Sequence, residues 1–358
     1  MPSWTNTPSG TMHAAILTKL GGQPQEAFTY VKDYPRPSLP SQTWVLVRCY
    51  ATGMQRSDLR ARINEYLDPR EFGIFADEYQ PVSPKLLGEE FVGEVVEAGS
   101  QTRFKKGEKV GGLVYGGGKA YDGSYGQYVI CPDRRCWKLG EAAADLSWEV
   151  LGAIPLSMWT AYGSLFVAGN TNHGDTVFIH GGSSAVGMWA ILLAKDQGCT
   201  VIASTRNPSK IPKMKAAGAD HVFLESELRG GAILKVAPKG VKTVIELVGI
   251  STMIEVGLPA LALHGTLVII GVLNLEWSIK DFHPDSIPLT RKITTYTIMD
   301  EDEEPSRQVM IDVVKKVRDG IFKPEYFLDK VFDLEDVGSA HKYMEDDRAC
   351  GKIVLRIK

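Results

Sequence analysis

Apolar residues follow two different rhythms along the chain. From Met12 to about Trp148 they come in short runs of strand length: His13–Leu17, Thr43–Ala51, Glu90–Glu97, Lys109–Val114 and Ser124–Ile130. Turn signals such as Gly99-Ser100 and Lys106-Gly107 separate these runs, so this half reads as all-β. From Ser157 the runs alternate with helical segments: Thr176–Ile179, a helix over Ala185–Gln197, then Thr200–Ala203, Thr243–Leu247 and Thr266–Ile270. These strands are apolar nearly throughout, as strands buried on both faces of a parallel sheet must be. Beyond about Ile293 the sequence turns charged and mixed, with a predicted helix over Ser306–Arg318 and a closing strand Lys352–Ile357. The division that follows is a β-rich domain over 1–156, completed by 293–358, and an α/β domain over 157–292.

Length and composition narrow the partners. A chain of 358 residues is long enough for two or three domains, and 44% hydrophobic with 23% charged residues is ordinary for a soluble globular protein. Forty Lys and Arg against 43 Asp and Glu leave a net charge of -3, which gives no general attraction for nucleic acid or anionic lipid. Five scattered cysteines (Cys49, Cys131, Cys136, Cys199, Cys350) suit free thiols in a reducing compartment. The most apolar stretch, Leu258–Leu273, is broken by Pro259, His264, Gly265 and Thr266, so no membrane span is expected. The first eleven residues are polar and no arginine precedes Arg36, which argues against a targeting peptide and for a cytoplasmic location.

The run Val177-Phe178-Ile179-His180-Gly181-Gly182-Ser183-Ser184-Ala185-Val186-Gly187 places a glycine-rich turn between a buried strand and a helix. A dinucleotide diphosphate needs this arrangement: small residues let the backbone approach, and the helix N-terminus offers free N–H groups and partial positive charge. Gly182, Ser184 and Gly187 have G-x-G-x-x-G spacing with serine in the middle place, where its hydroxyl can donate to a phosphate. About 20 residues on, an NAD site wants a carboxylate for the ribose. Here the strand ends Ala203-Ser204-Thr205-Arg206-Asn207, with Lys210 following and no Asp or Glu in the window. Ser204, Thr205, Arg206 and Lys210 suit a 2'-phosphate instead, each charge-assisted bond being worth roughly 1.5 to 3 kcal/mol. NADPH is the expected cofactor. The plainer alternative is that Arg206 and Lys210 are ordinary surface residues at a helix start.

Further landmarks run along the whole chain: Ala51-Thr52-Gly53-Met54-Gln55-Arg56-Ser57-Asp58, Leu87-Gly88-Glu89-Glu90-Phe91-Val92-Gly93, Lys106-Gly107-Glu108-Lys109-Val110, Pro155 with Thr160-Ala161-Tyr162, Ala217-Gly218-Ala219-Asp220 and Gly351-Lys352-Ile353-Val354-Leu355. With these, the chain resembles the medium-chain dehydrogenase/reductase superfamily. The resemblance implies an α/β chain: a GroES-like β-rich catalytic domain plus a Rossmann domain, a doubly wound parallel sheet. In zinc-dependent relatives the metal is held by Cys, His and Cys at positions matching Gln55, Glu89 and Leu156. An amide, a carboxylate and a hydrocarbon are a poor zinc set, and the four closely spaced cysteines of a structural zinc site are missing. No metal is expected. The chain then looks like the zinc-free quinone oxidoreductase and enoyl reductase branch.

The resemblance places Gln55, Arg56 and Asp58 on the segment facing the nicotinamide, with Gln55 the preferred donor to a substrate carbonyl, or else a mere space-filler. Arg56 either holds the diphosphate or makes a surface ion pair, and Asp58 is expected to orient backbone. Glu89 and Glu90 are adjacent on a strand and must point to opposite faces, so they cannot pair as acid and base. Glu89 is the cleft candidate and Glu90 a member of a buried polar network. Tyr66 is a candidate catalytic donor. With Phe72, Phe75 and Tyr79 between Asn64 and Lys85, and with Tyr115, Tyr121 and Tyr125, it can line a pocket for a planar enone or simply pack loops. His180 reads as a satisfied core histidine and His264 as unpromising. By resemblance, Thr160, Val248, Ile270, Val272 and Asn274 lie by the nicotinamide, and Lys352 contacts cofactor phosphate.

The expected activity is NADPH-dependent hydride transfer to a small hydrophobic carbonyl, enone or quinone, with water supplying the proton. A carbonyl reductase or alcohol dehydrogenase using an unrecognised metal is a second reading, and a cofactor-binding structural or regulatory protein with vestigial chemistry a third. The strand Thr266–Ile270 resembles the edge through which relatives pair their sheets, so a homodimer is expected.

Overall fold

The computed structural model describes residues 10–63, 86–114, 121–275, 278, 282–297 and 303–358. Tyr66, Phe72, Phe75, Tyr79 and Tyr115 lie outside the described residues. The described residues fall into two compact units, one drawn from Met1–Leu156, Asp302–Phe322 and Lys330–Lys358, the other from Ser157–Glu301 and Lys323–Asp329.

The first unit begins with β1 (Thr11–Leu17), β2 (Phe28–Pro35), β3 (Trp44–Gly53), β4 (Glu90–Ala98), β5 (Lys109–Leu113), β6 (Tyr128–Pro132) and β7 (Cys136–Lys138). The second supplies β8 (Thr176–His180), β9 (Thr200–Thr205), β10 (His221–Leu224), β11 (Val241–Glu246), β12 (Leu261–Ile269) and β13 (Lys292–Thr295). The last segment adds β14 (Leu328–Asp333) and β15 (Lys352–Arg356).

In the first unit β1 and β2 form a ribbon, and β14-β15-β3-β4-β5-β7 form the main sheet, with β6 paired on β3. The ten-residue β3 is its organising strand, pairing antiparallel with β4, β6 and β15. Its inward side chains Val45, Val47 and Cys49 join Phe91, Val95, Val110, Val129 and Leu355 in one buried core. β2 and β7 are absent from the sequence-based expectation, since Phe28-Thr-Tyr-Val-Lys-Asp-Tyr is half exposed and carries no clean alternation. A short helix, Arg56–Ile63, also escapes notice because its amphipathic pattern is weak and its buried face includes Asp58 and Arg62.

The second unit is a six-stranded parallel sheet in the order β10-β9-β8-β11-β12-β13. The order reverses beside β8, the place where open α/β sheets bind ligands at the carboxyl ends of their strands. Val177, Phe178, Ile179, Val201, Ile202, Val244, Ile245, Leu267 and Val268 are fully buried, as the unbroken apolar runs require. One expectation fails here: Thr266–Ile270 is not an edge, because Lys292–Thr295 pairs along it from Thr266 to Ile269. The same pairing takes residues 293–295 out of the first unit, to which the sequence division had assigned them. Four residues, two of them half exposed and two exposed, carry too little apolar signal to announce a sixth strand. Among the described residues no helix is long and apolar enough to cross a membrane.

Candidate active site

The glycine turn sits at the carboxyl end of β8. Gly181 has φ +86°, and a Cβ at Gly182 would meet Met214 and Ala203 at 2.8 and 2.9 Å, so bulk is excluded where the backbone must stay low. Ser184 caps the following twelve-residue helix: its Oγ accepts the Gly187 N–H at 3.0 Å and donates to the Gly181 carbonyl at 2.9 Å. The sequence reading of Ser184 as a phosphate donor is therefore corrected, since its proton is spent on the turn. Ala185 and Val186 occupy the first helical turn and are half-buried, leaving backbone N–H groups that have no carbonyl of their own helix to bond.

Ser204 is also reassigned. Its side chain is fully buried, where it accepts the Gly181 N–H at 3.2 Å while its carbonyl takes the Gly182 N–H at 2.9 Å. It braces the turn from behind and cannot face a ribose phosphate. Thr205 donates to Ser183 Oγ at 3.2 Å, tying the two ends together. Arg206 is exposed just past the end of β9, and Lys210 is half-buried in the turn after it.

Two further loops are hydrogen-bonded to one another at this end of the sheet. The Leu273 N–H donates to Leu247 at 3.0 Å and the Asn274 N–H to Val248 at 2.8 Å, while the Ile270 N–H donates to Glu246 at 2.9 Å. Val248, Ile270, Val272 and Asn274 thus share one rim with the glycine turn, against which Leu247, Val248 and Leu273 pack at Gly181. Thr160 stands half-buried on the helix Pro155–Tyr162, its carbonyl accepting from Ser164 at 2.6 Å. A narrow glycine turn and a capped helix start at the carboxyl end of β8 fit a nicotinamide dinucleotide.

The first unit holds a second constellation. Glu90 and Lys352 are both fully buried and form an ion pair, and Gln55 Nε2 donates to the same carboxylate. The other Glu90 oxygen accepts the Leu156 N–H at 2.8 Å. A Cβ at Gly53 would overlap both Glu90 and Lys352, so only glycine lets the pair close there. Burial pushes the Glu90 carboxyl up from its ordinary value, opposed by the Lys352 ammonium and the N–H donors. Lys352 is accordingly a buried counter-ion, and the expectation that it contacts cofactor phosphate is corrected: Glu90 needs a cation inside the sheet.

Asp58, on the Arg56–Ile63 helix, accepts the Gln55 N–H at 2.8 Å and the Gly88 N–H at 3.1 Å. Burial and then the nearby Glu89 push its carboxyl up to about 8, against the pull of those N–H groups and Lys352. Glu89 is half-buried and accepts from Ser57 Oγ, so Glu89 and Glu90 do diverge. Arg56 forms an ion pair with Asp347, both side chains substantially exposed, in place of a hold on diphosphate. Tyr125 is fully buried with its hydroxyl 3.2 Å from His341 Nε2, a core residue and not part of a pocket wall; Tyr121 packs edge-on to Trp44. Burial lowers His341 to about 3, so that ring is neutral.

Sequence reasoning missed the partners of Glu90 and of His180. His180 Nδ1 lies 2.8 Å from Glu246 Oε2 and its Nε2 bonds to Glu225. The available signal was a charged residue at the end of an apolar run, as in Val-Phe-Ile-His180, Val-Ile-Glu246 and Lys352-Ile-Val-Leu.

Comparison with known proteins agrees with this architecture. The pattern of the alcohol dehydrogenase GroES-like domain matches residues 41–141 and that of the zinc-binding dehydrogenases matches 185–314. Bovine prostaglandin reductase-3 is 29% identical over 266 residues, covering 74% of this chain and 64% of that protein. Quinone oxidoreductase of Pongo abelii is 25% identical over 351 residues, covering 96% and 97% of the two chains. A mycobacterial protein solved in complex with NADPH superposes with a TM-score of 0.75 at 22% identity, covering 97% of this chain and all of that one. The chain belongs to the medium-chain dehydrogenase/reductase superfamily of nicotinamide-dependent oxidoreductases, in its quinone oxidoreductase and enoyl reductase-like branch.

Proposed function

We propose that the protein is a zinc-independent, NADPH-dependent cytoplasmic reductase that delivers hydride to a quinone or to the β-carbon of an α,β-unsaturated carbonyl. The observation that carries this reading is the fixing of Gln55 by Glu90 where zinc-dependent relatives place a metal ligand. One Gln55 N–H is committed to Glu90, which leaves its second to meet a carbonyl oxygen. Leu156 offers a backbone N–H already donated to Glu90, and Gln55 and Glu89 alone do not make a zinc site.

Bound reduced nicotinamide supplies the hydride. Negative charge then collects on the substrate oxygen, where a preorganised donor such as Gln55 acts on the transition state at no reorganisation cost. Asp58 is buried and holds the Gln55 and Gly88 backbone, which makes it a positioning residue; water supplies the proton. Arg206, with Lys210 beside it, selects the 2'-phosphate, a preference in keeping with the NADPH bound by the mycobacterial neighbour. A homodimer would pair through β13, the exposed edge of the parallel sheet, and light scattering that returned a single-chain mass would reject it.

The test is oxidation of NADPH against a panel of quinones, enones and simple aldehydes in the wild type and in Arg206→Ala. Turnover of quinone or enone is expected, with KM for NADPH raised about tenfold in the variant and KM for NADH unchanged. Metal-dependent turnover of aldehyde alone would sink the proposal.

A further inference from the structure

His180 ends β8 one residue before the glycine turn, and its ring is fully buried between two carboxylates. Nδ1 is 2.8 Å from Glu246 Oε2, and Nε2 bonds to Glu225 Oε1. A neutral imidazole carries one N–H and can donate to one of these oxygens, so two carboxylate partners call for the doubly protonated ring. Glu246 reaches onward: its Oε1 accepts the Val248 N–H at 2.8 Å and the Gly249 N–H at 3.1 Å. Val248 accepts the Asn274 N–H and its neighbour Leu247 the Leu273 N–H, so one carboxylate connects the ring to both loops of the rim. On the other side, Glu225 directly follows β10, whose last residue Leu224 pairs with Thr205, the neighbour of Arg206.

Charge gives the arrangement its direction. An imidazolium between two carboxylates leaves the cluster with one net negative charge. Loss of its proton would leave two uncompensated carboxylates beneath a turn shaped to receive a diphosphate, a costly arrangement in a buried site. We infer that His180, as an imidazolium bridging Glu225 and Glu246, is a positioning residue that holds the glycine turn, the Arg206 strand end and the 247–249 and 272–275 loops in register for the dinucleotide.

This inference rests on the reading of the protein as an NADPH enzyme. The ionisable groups facing the ring among the described residues are Glu246 on β11 and Glu225 after β10; β9 brings only the hydroxyls of Ser204 and Thr205 to this end of the sheet. Burial by itself lowers the ring's proton affinity, but the bonds to Glu225 and then Glu246 override it and raise His180 to about 9. The charged form therefore prevails at neutral pH and is lost as pH rises past about 9.

The experiment follows the His180 ring by nitrogen NMR and, in parallel, the Kd of NADPH by fluorescence titration of the full chain from pH 6.5 to 10. The ring is expected to be doubly protonated at pH 7.5, and Kd to rise about tenfold across the step in which the ring loses its proton. Glu225 is a quarter exposed, so Glu225→Gln leaves the core intact and is expected to lower both midpoints together by about one pH unit. A neutral ring at pH 7.5 in the wild type overturns the inference without any variant, and so does Glu225→Gln if it moves the NMR midpoint while the break in Kd stays in place. Failure of the wild type to bind NADPH at pH 7.5 would overturn the functional reading as well, whereas the first two outcomes leave that reading standing.

Discussion

Each unit buries a charged cluster, and the two share their cations differently. In the second, one histidine cation is shared by Glu225 and Glu246, and Glu246 is further satisfied by three donors from its own loop, Val248, Gly249 and Thr252. In the first, Lys352 is spent on Glu90, while Asp58 has only backbone N–H groups, the Tyr125 hydroxyl and a distant share of Lys352. The second cluster keeps its cation to high pH. The first leaves the Asp58 carboxyl, pushed up to about 8, beside Gln55. Where both acids bond the one cation they organise backbone; where the cation bonds only one of them, burial raises the other.

The largest expected effect comes from removing the cation of the first cluster. Lys352→Met should cost about 3 to 5 kcal/mol in denaturant unfolding, because it strands Glu90 in the sheet, and adding Glu90→Gln should recover most of that loss. An equal loss in the single and double variants would refute the pairing. Next is Gln55→Ala, for which a drop of about a hundredfold in kcat/KM is expected, with the Kd of NADPH within about twofold of wild type. A change confined to NADPH binding would move Gln55 from the chemistry to the cofactor.

The two clusters also differ in the pH window in which they affect stability. Asp58 is raised from an ordinary 3.8 to about 8, so the folded chain keeps a proton that the unfolded chain releases; this contribution is complete below about pH 4 and fades as pH climbs to 8. His180 is raised from 6.5 to about 9, so its contribution is complete below 6.5 and fades through 9. Between pH 5 and 6.5 the retained Asp58 proton makes stability fall as pH rises, by up to about 1.4 kcal/mol per pH unit. His341, held neutral in the fold, acts in the opposite sense, so the Asp58 share is read by comparing urea unfolding of the wild type with that of Asp58→Asn. Asp58→Asn should make stability rise more steeply with pH across this window; an unchanged slope would refute the retained Asp58 proton. The smallest effect is expected at Arg56→Ala, which removes a half-exposed ion pair with Asp347: stability within about 0.5 kcal/mol of wild type, and NADPH affinity unchanged. Weakened NADPH binding there would restore the resemblance-based role of Arg56.

Apolar rhythm alone determined much of this protein. Unbroken runs such as Val177–Ile179 and Thr243–Ile245 identify strands buried on both faces, and Gly181–Gly187 between such a strand and a helix identifies the dinucleotide turn, since those patterns report local burial and backbone freedom. Tertiary structure decided everything that depended on a partner distant in the chain. It paired Lys352 with Glu90 across more than 250 residues, spent the Ser184 and Ser204 hydroxyls inside the turn, and covered Thr266–Ile269 with a four-residue strand. A side chain's charge or hydroxyl is written in the sequence, but whether it faces solvent, ligand or a counter-ion is set by packing between segments, and no local pattern carries that information.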